Sequence, residues 1–436
     1  MRLRRTQHDS AYMPPDEDFG MPPDEAAAPA AGNRPREQRA QTPDGAANLR
    51  PTLVVGLGGT GYKIAVALKA RLLDQYGSEE QFSHSVRFLC MDTANENFTA
   101  MQPNHPERGP VGLSRGTEFL RISDVPLYEL LNSRANNPAI AKILPSRLQS
   151  THIDQGAQQV RRLGRIALFY HYNAIREAYG PVIRDLLTVD AGQTGSVQRA
   201  PTADKRLRVY IICSICGGTG AGTFIDMAYL LRHLAVSDGG VLSPRNVEVV
   251  GMLMLPEAFP EIKTTGADRI RANAYASLLD MEYYNQDVGE DEALYDEELP
   301  GGRVRVSGTP FTIAYLLSSI NRFGTVNGLS DLAPILADAL QLMIATRVGE
   351  QHDATLDNVK VTLTGSHRGY RTFYSALGIS QIIYPRVWLR QRFGLELKQR
   401  LLTDYVLRAA ADAEIVNKEV QAWMRSARQR VGSDLQ

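Results

Sequence analysis

Two glycine-rich segments constrain the fold of this chain more than any other feature. Gly56–Gly61 has the sequence Gly-Leu-Gly-Gly-Thr-Gly and follows the apolar run Thr52–Val55. Cys216–Thr223 has the sequence Cys-Gly-Gly-Thr-Gly-Ala-Gly-Thr and follows a second apolar run, Leu207–Cys213. Apolar residues recur at helical spacing after each of them. Each segment therefore predicts a buried strand, a glycine loop and an amphipathic helix, in that order.

The rest of the central chain continues this alternation. Further strands are predicted at Val86–Met91, Val247–Leu255 and Phe311–Leu317, and helices at Gln158–Tyr179, Arg184–Leu187, Ala267–Asn285 and Leu332–Met343. Strands that are apolar throughout and alternate with helices indicate a mostly parallel sheet covered on both faces. The expected fold is a three-layer, Rossmann-like α/β nucleotide-binding domain, followed by a reduced or partial C-terminal α+β region.

Composition divides the chain into three predicted regions. Seven of the 23 prolines fall in the first 50 residues, together with two copies of Met-Pro-Pro-Asp-Glu, so residues 1–48 are predicted to be a disordered tail. Residues 49–350 form the expected nucleotide-binding domain, including its long helix, and 351–436 a reduced second domain with C-terminal helices. Polar stretches at 188–206, 236–245 and 286–308 are predicted to be surface loops or insertions, and 100–155 is a predicted insertion.

The charge balance and the cysteine content limit which partners and which cellular location are expected. The 48 Lys and Arg residues balance 48 Asp and Glu residues, so no basic excess points to a nucleic acid or an anionic membrane. No apolar run reaches the roughly 18 residues of a membrane span, and no apolar segment follows the basic start. Three cysteines give no disulfide framework. Cys213 and Cys216 are predicted to be buried, without a metal. A cytoplasmic location is expected.

The glycine loops have the chemistry of phosphate binding. Glycines let backbone N–H groups approach a phosphate closely, and the helix that follows contributes positive potential. The first loop also fits the dinucleotide pattern G-x-G-x-x-G, with Asp92 placed as a ribose-binding acid, so an NAD-binding oxidoreductase is an alternative. The second loop favours a triphosphate held from two sides. A P-loop is excluded because neither segment contains Gly-Lys-Ser/Thr.

The second loop carries a resemblance to a known family. Gly217-Gly-Thr-Gly-Ala-Gly222 resembles the phosphate-binding signature of the tubulin/FtsZ superfamily, and the chain is most similar to the bacterial tubulin-like family. The resemblance extends in the same order over 51–385. It implies a GTP-binding protein and a slow GTPase that depends on self-association into longitudinal oligomers or filaments. A nucleotide-binding interaction scaffold without turnover is the alternative of another class.

The resemblance also implies which residues contact the nucleotide. Gly56–Gly61 corresponds to the first loop, Phe88–Asn95 to the second strand and its loop, and Gly156–Arg165 to a third, phosphate-sensing loop. Leu255–Glu261 corresponds to the ribose-contacting loop, while Asn321 and Asp338 would read guanine. The implied contacts are Gly56, Gly58, Gly59, Thr60, Gly61, Asp92, Asn95, Gly156, Ala157, Gly217, Gly218, Thr219, Gly220, Ala221, Gly222, Thr223, Glu257, Glu261, Asn321 and Asp338.

Hydrolysis in this family uses an acidic residue after the long helix, donated to the nucleotide of the neighbouring subunit. The matching candidates are Asp353 and Asp357, either of which would position a water for attack on the γ-phosphate. Mg²⁺ would balance the phosphate charge, with Asp92 or Asn95 approaching it through water. Cys216 replaces the first glycine of the family's usual triple.

Overall fold

The structure is a computed structural model that describes residues 49–94, 102–105, 109–133, 136, 138–144, 156–187, 206–236, 246–262, 265–285, 293–321, 324–346, 348–349, 351–352, 354, 373–378, 386–403 and 413–433. The tail predicted at 1–48 and most of the stretches at 188–206 and 236–245 lie outside these ranges. Residues 46–436 form one compact unit.

Regular elements occupy most of the described chain. The strands are β1 Thr52–Leu57, β2 Val86–Asp92, β3 Asn104–His105, β4 Gly109–Pro110, β5 Phe119–Arg121, β6 Leu207–Ser214, β7 Val247–Met254, β8 Tyr295–Leu299, β9 Gly302–Val306, β10 Ile313–Leu317, β11 Ile320–Asn321, β12 Gly324–Thr325 and β13 Phe373–Ser375. The helices are α1 Gly58–Tyr76, α2 Leu127–Asn132, α3 Pro138–Ile143, α4 Arg161–Tyr170, α5 Tyr172–Leu187, α6 Thr219–Val236, α7 Thr265–Tyr284, α8 Gly328–Ala345, α9 Arg386–Leu401 and α10 Ala413–Ser433.

Seven strands form one sheet in the order β13-β10-β7-β6-β1-β2-β5. All six neighbouring pairs are parallel, and Thr52 of β1 lies in register with Val86 on one side and Arg208 on the other. From β1 the chain moves outward through β2 and β5, and β6 then begins a second run in the opposite direction. The order therefore reverses between β1 and β6.

Helices cover both faces of this sheet. Side chains on one face, such as Val55 and Ile211, pack in a cluster with residues of α4, α5, α6 and α7. Side chains on the other face, such as Val54 and Ile212, pack with α1 and α8. The two-residue alternation of the central strands thus supplies both clusters, and the predicted three-layer α/β fold is confirmed.

The structure corrects the prediction of a surface loop at 286–308. Within that stretch β8 and β9 form an antiparallel hairpin that buries Tyr295, Leu299 and Val304. Only the inward-facing positions of these strands are apolar, so the sequence looked uniformly polar. The predicted helix from Gln158 to Tyr179 is also interrupted at His171, whose Nε2 lies 2.6 Å from the carbonyl oxygen of Ser123.

The long amphipathic helix α8 is, by length and composition alone, apolar enough to cross a membrane. The sequence analysis missed this because Asp331 and Asp338 interrupt the apolar run. The helix packs on α1, and Leu336 and Leu340 belong to the buried cluster on that face. These contacts are those of a core helix.

The edge strand β13 comes from the C-terminal region. Phe373 pairs with Ile313 and Ser375 with Tyr315, so this short strand extends the main sheet beyond β10. The division of the chain at residue 350 stays a prediction.

A buried ion pair links three elements on the side of the sheet that carries α4 to α7. Arg165 of α4 donates two hydrogen bonds of 2.9 Å to Asp226 of α6, and the Tyr295 hydroxyl donates to the same carboxylate at 3.0 Å. Asp226 is 4% exposed. Burial alone would lower the pKa of Arg165, but the Asp226 carboxylate raises it well above its ordinary value, so the guanidinium stays charged.

Removing one partner of this pair should be costly. Asp226→Ala leaves the half-buried Arg165 guanidinium without its main counter-charge and the buried Tyr295 hydroxyl without its acceptor. We therefore expect the free energy of unfolding to fall by about 2–3 kcal/mol. Urea unfolding measures the change. Asp296→Ala, which removes an exposed partner of Arg303, is the matched control and should have a far smaller effect. Equal losses in the two variants would contradict this assignment.

Candidate functional site

Both predicted glycine loops lie at the carboxyl edge of the sheet. The first loop follows β1 and the second follows β6, which are the two strands between which the strand order reverses. In parallel α/β sheets, ligands bind in the crevice at this point, because the loops leave the two strands in opposite directions. The site can therefore be located from the topology before any side chain is considered.

The first loop turns directly into α1. Gly58 has a φ of +74°, and a Cβ there would lie 3.5 Å from the Cβ of Thr219, so the two glycine loops are neighbours. Gly56 and Gly61 pack against each other, and a Cβ on Gly56 would lie 2.5 Å from the Cys90 sulfur. Gly59 and Thr60 are half-buried. The outer glycines thus serve close packing, while the middle of the loop stays accessible.

The second loop has one open position among several tightly packed ones. A Cβ on Gly218 would lie 2.6 Å from the Cβ of Ala157, and one on Gly220 would lie 2.6 Å from the Ser214 carbonyl oxygen. A Cβ on Gly217 would meet no atom within 4 Å. Gly217 is therefore the position at which the loop faces open space.

The predicted third loop lies against the second. Gly156, Gln158 and Gln159 have φ values of +82°, +45° and +61°, so the turn contains two successive non-glycine residues in the left-handed region. Such backbone strain is retained where the surroundings enforce it. Here Ala157 is buried against Gly218 on one side.

A chain of hydrogen bonds joins three of these segments. The Ala157 amide donates to Thr93 Oγ1 at 2.9 Å, and Thr93 Oγ1 lies 2.6 Å from Thr219 Oγ1. Thr219 Oγ1 in turn donates to Asp92 Oδ1 at 2.8 Å, and this oxygen also accepts from the Thr93 amide at 2.7 Å. All four residues are buried. The end of β2, the third loop and the second loop are thereby fixed to one another.

This arrangement changes the expected roles of three residues. Thr223 is fully buried and donates to the Thr219 carbonyl oxygen, so its hydroxyl does not face a ligand in this conformation. Thr219 and Asp92 are used within the hydrogen-bond chain. Asp92 Oδ1 thus braces the loops. The expectation that Asp92 reaches towards ribose or Mg²⁺ stays a prediction.

Cys216, where the resembling family has glycine, points away from the open side of the loop. It is 1% exposed and its thiol lies 3.6 Å from the carbonyl oxygen of Met254, at the end of β7. The pKa of this thiol is raised to about 11, chiefly by burial and also by the Glu257 carboxylate, while a hydrogen bond from Ser214 lowers it. Cys213 is also buried. The prediction that both cysteines are buried is confirmed.

Helix α7 braces the loops through polar residues that the sequence analysis did not single out. Asn273 Nδ2 donates to the carbonyl oxygens of Gln159 at 2.8 Å and Cys216 at 2.9 Å. Ser277 Oγ donates to the Ile215 carbonyl oxygen at 3.2 Å. The sequence signal for these contacts was weak, because it consisted only of Asn273 and Ser277 on a helix face that otherwise carries apolar residues.

The loop after β7 lies beside the start of α8. The Ser319 hydroxyl donates to the Glu257 carbonyl oxygen at 2.5 Å, and a Cβ on Gly328 would lie 3.3 Å from a carboxylate oxygen of Glu261. Glu257 and Glu261 are both exposed. The predicted ribose-contacting loop is thus placed at the same edge of the sheet as the glycine loops.

Asp338 does not lie at this edge. Helices α1 and α8 run parallel, with Lys63 bonded to Ser330 at their first turns and Arg71 paired with Asp338 at 2.5 Å further along. Arg71 is 13 residues from the start of α1, which is roughly 20 Å along a helix. The prediction that Asp338 reads the base is therefore corrected, because that position belongs to the contact between the two helices.

The positions of several predicted site residues cannot be compared with the structure. Asn95, Asp353 and Asp357 lie outside the described residues. Only the backbone of Asn321 is described, and it forms a two-stranded hairpin with Gly324. The roles predicted for these residues stay predictions.

The geometry as a whole defines a class of protein. Three loops and the first turns of α1 and α6 meet at the reversal point of a parallel sheet, and the first turn of α1 has no side-chain cap. Uncapped N–H groups at such a point suit an anion. The chain is an α/β protein with the architecture of Rossmann-like nucleotide-binding domains.

Comparison with known proteins identifies the family. The protein-family model described as "Tubulin like" matches residues 53–406, which is most of the chain. The chain therefore belongs to the tubulin-like family, and the predicted resemblance is confirmed. No curated protein sequence matches it significantly.

Similar solved structures include three members of the wider superfamily. CetZ from Methanosaeta thermophila is 14% identical, with 68% of this chain and 54% of that chain covered at a TM-score of 0.35. CetZ2 from Haloferax volcanii, solved as a GTPγS-bound protofilament, is 14% identical, with 68% and 59% covered at 0.36. An FtsZ mutant from M. jannaschii is 14% identical, with 68% and 57% covered at 0.33. The match spans little more than half of each of these chains.

The hydrogen-bond chain gives a direct test of how the loops are held. Thr219→Val removes the hydroxyl that bridges Asp92 and Thr93, and we expect the free energy of unfolding to fall by about 1–3 kcal/mol because buried polar atoms lose a partner. Thr219→Ser keeps the hydroxyl and should lose much less. Urea unfolding of both variants measures the difference, and a loss in Thr219→Ser as large as that in Thr219→Val would contradict the role of the hydroxyl.

Proposed function

We propose that this protein binds GTP between its two glycine loops and hydrolyses it slowly when copies associate. The observation that carries the proposal is the convergence of both loops and a third, strained loop at the point where the strand order reverses. Membership of the tubulin-like family supports it. The choice of GTP and the coupling to self-association rest on the family.

The phosphates would be held by backbone amides. The loop positions that remain accessible, Gly59, Thr60 and Gly217, border the first turns of α1 and α6. These turns present N–H groups and the positive ends of two helix dipoles to the same space. Gly58 contributes by adopting a left-handed conformation that brings the loops together. Ala157 and Gly218 would fix the separation of the second and third loops.

The nucleoside would extend from the glycine loops towards the loop after β7 and the start of α8. We assign ribose contacts to Glu257 and Glu261, which lie on that path. Asn321 is retained as a base-reading candidate. Asp331, exposed in the first turn of α8, takes the place of Asp338 as an acceptor for the N–H groups of guanine.

Mg²⁺ would neutralise the phosphate charge when the nucleotide is bound. Asp92 Oδ1 already accepts hydrogen bonds from Thr219 and Thr93, so this oxygen does not fit a metal ligand in this conformation. Among the described residues no cluster of acidic, cysteine or histidine side chains forms a metal site. Asn95 remains the proposed second-strand contact through water.

Hydrolysis would need an acid supplied by a neighbouring copy, and Asp353 and Asp357 are the candidates. His352, directly before Asp353, has its Nε2 2.6 Å from the hydroxyl of Tyr315 on β10. This bond attaches the segment after α8 to the main sheet. A carboxylate that follows it would position and polarise water for attack on the γ-phosphate of the adjoining subunit.

The alternative of an NAD-dependent oxidoreductase is less well supported by the same geometry. It requires Asp92 to accept hydrogen bonds from a ribose, whereas its Oδ1 is held by Thr93 and Thr219. It also leaves the second glycine loop without a role. A scaffold that binds nucleotide without turnover differs from our proposal only in the acidic residues.

Nucleotide binding can be tested with a pair of neighbouring glycines. We expect fluorescent GTP to bind, and Gly218→Ala to weaken binding at least about tenfold, because its Cβ would push the second and third loops apart. Gly217→Ala, which meets no atom, is the matched control for the effect on the loop backbone. Titration with ATP and NAD tests selectivity. Tighter binding of NAD, or no binding of GTP, would refute the proposal.

Turnover requires a separate measurement. Asp353→Ala and Asp357→Ala should leave GTP affinity unchanged, and at least one should lower phosphate release by about 10²-fold or more, the usual contribution of a group that activates water. Asp338→Ala is the control and should change neither quantity. Light scattering during the reaction reports association. Unaltered hydrolysis in both variants would favour the scaffold without turnover.

A further inference from the structure

Helix α7 carries an apolar stripe that no described part of the chain covers. Tyr275, Leu279 and Tyr283 are 67%, 51% and 57% exposed. They are spaced by four residues, so they lie one above the other along about 12 Å of one helix face. Single exposed apolar residues are common on protein surfaces, but a continuous row of large ones indicates an interaction site.

The stripe is the outer face of a helix whose inner face is already fixed. Ile270, Ala274 and Met281 are buried against the sheet, while Asn273 and Ser277 bond to the loops. At 100° per residue, the stripe lies on the opposite side of the helix axis from these residues. Rotation of α7 to bury the stripe would break both sets of contacts, so no rearrangement of α7 within the described residues covers it.

The charges beside the stripe are arranged for a second copy of the same helix. Arg271 and Glu282 are both exposed and lie 11 residues apart, which places them on the same flank of α7 within about 20°. They are also nearly equidistant from residue 277, which lies midway between Tyr275 and Leu279 of the stripe. If two α7 helices pack antiparallel about that residue, Arg271 of each copy faces Glu282 of the other.

We propose that two copies of this protein associate through antiparallel packing of their α7 helices. Tyr275 of each copy packs on Leu279 of the other around a twofold axis, and two symmetric Arg271–Glu282 pairs flank the contact. Closed twofold symmetry is the commonest arrangement of identical chains, and it requires a self-complementary patch of this kind. A parallel twofold arrangement would instead place the charged flanks of the two copies on opposite sides of the contact, so that Arg271 and Glu282 would not meet.

This contact is distinct from the self-association proposed for hydrolysis. The stripe faces away from the glycine loops, and neither the apolar residues nor the two charges belong to the proposed nucleotide site. The pairing therefore requires no nucleotide and no Mg²⁺. Failure of GTP binding would leave it intact, and loss of the pairing would leave GTP binding intact.

Sedimentation velocity over a dilution series, in EDTA and without nucleotide, tests the proposal. We expect a reversible monomer–dimer equilibrium with a dissociation constant in the micromolar range. Leu279→Asp should abolish the dimer. Tyr128→Asp, at a residue that is 64% exposed on α2, is the matched control and should leave it unchanged. A wild-type protein that is monomeric throughout the series would overturn the proposal.

Charge reversal tests the antiparallel geometry. Arg271→Glu and Glu282→Arg should each weaken the dimer by roughly tenfold or more, since both symmetric pairs become repulsive. The double variant should recover wild-type affinity. A mixture of the two single variants should also form a dimer, because each reversed charge then meets its opposite on the partner. Failure of both the double variant and the mixture to recover would overturn the antiparallel arrangement.

Discussion

The site depends on one buried chain of hydrogen bonds, which runs from the Ala157 amide through Thr93 and Thr219 to Asp92. These residues belong to the third loop, the end of β2 and the second glycine loop, so the hydrogen bonds join three segments that are distant in sequence. Because the polar atoms of this chain of hydrogen bonds are buried, breaking any one bond would leave a buried polar atom without a partner, which costs free energy. The relative positions of the second and third loops are therefore fixed before any ligand arrives.

The glycines are the steric counterpart of this polar chain. Gly218 must lack a side chain because a Cβ there would collide with Ala157. Gly61 must lack one because a Cβ there would collide with the carbonyl oxygen of Ile212 in the sheet. Glycine in a phosphate loop is usually explained by access of the ligand to the backbone. In this protein only Gly217 faces open space in the second loop, so the other glycines of this loop serve close packing rather than contacts with a ligand.

The two faces of the sheet have different tasks. Helices α1 and α8 run parallel on one face and are joined along their length, from Lys63 and Ser330 to Arg71 and Asp338. On the other face α7 reaches the loops through Asn273 and presents its outer side to solvent. The proposed nucleotide site and the proposed contact between copies therefore lie on different surfaces of the protein.

The sequence by itself determined the alternation of strands and helices, the parallel sheet, the two glycine loops and the family, because these follow from local periodicity and short motifs. It did not determine which way a side chain points once the helices are packed. Asp338 was predicted to read a base, yet the parallel packing of α8 on α1 directs it to Arg71. It also did not show that Asp92 Oδ1 accepts a hydrogen bond from Thr219, 127 residues away in the chain. The hairpin of β8 and β9 was missed for the same reason, since its few apolar side chains become visible as core residues only when the surface that buries them is present.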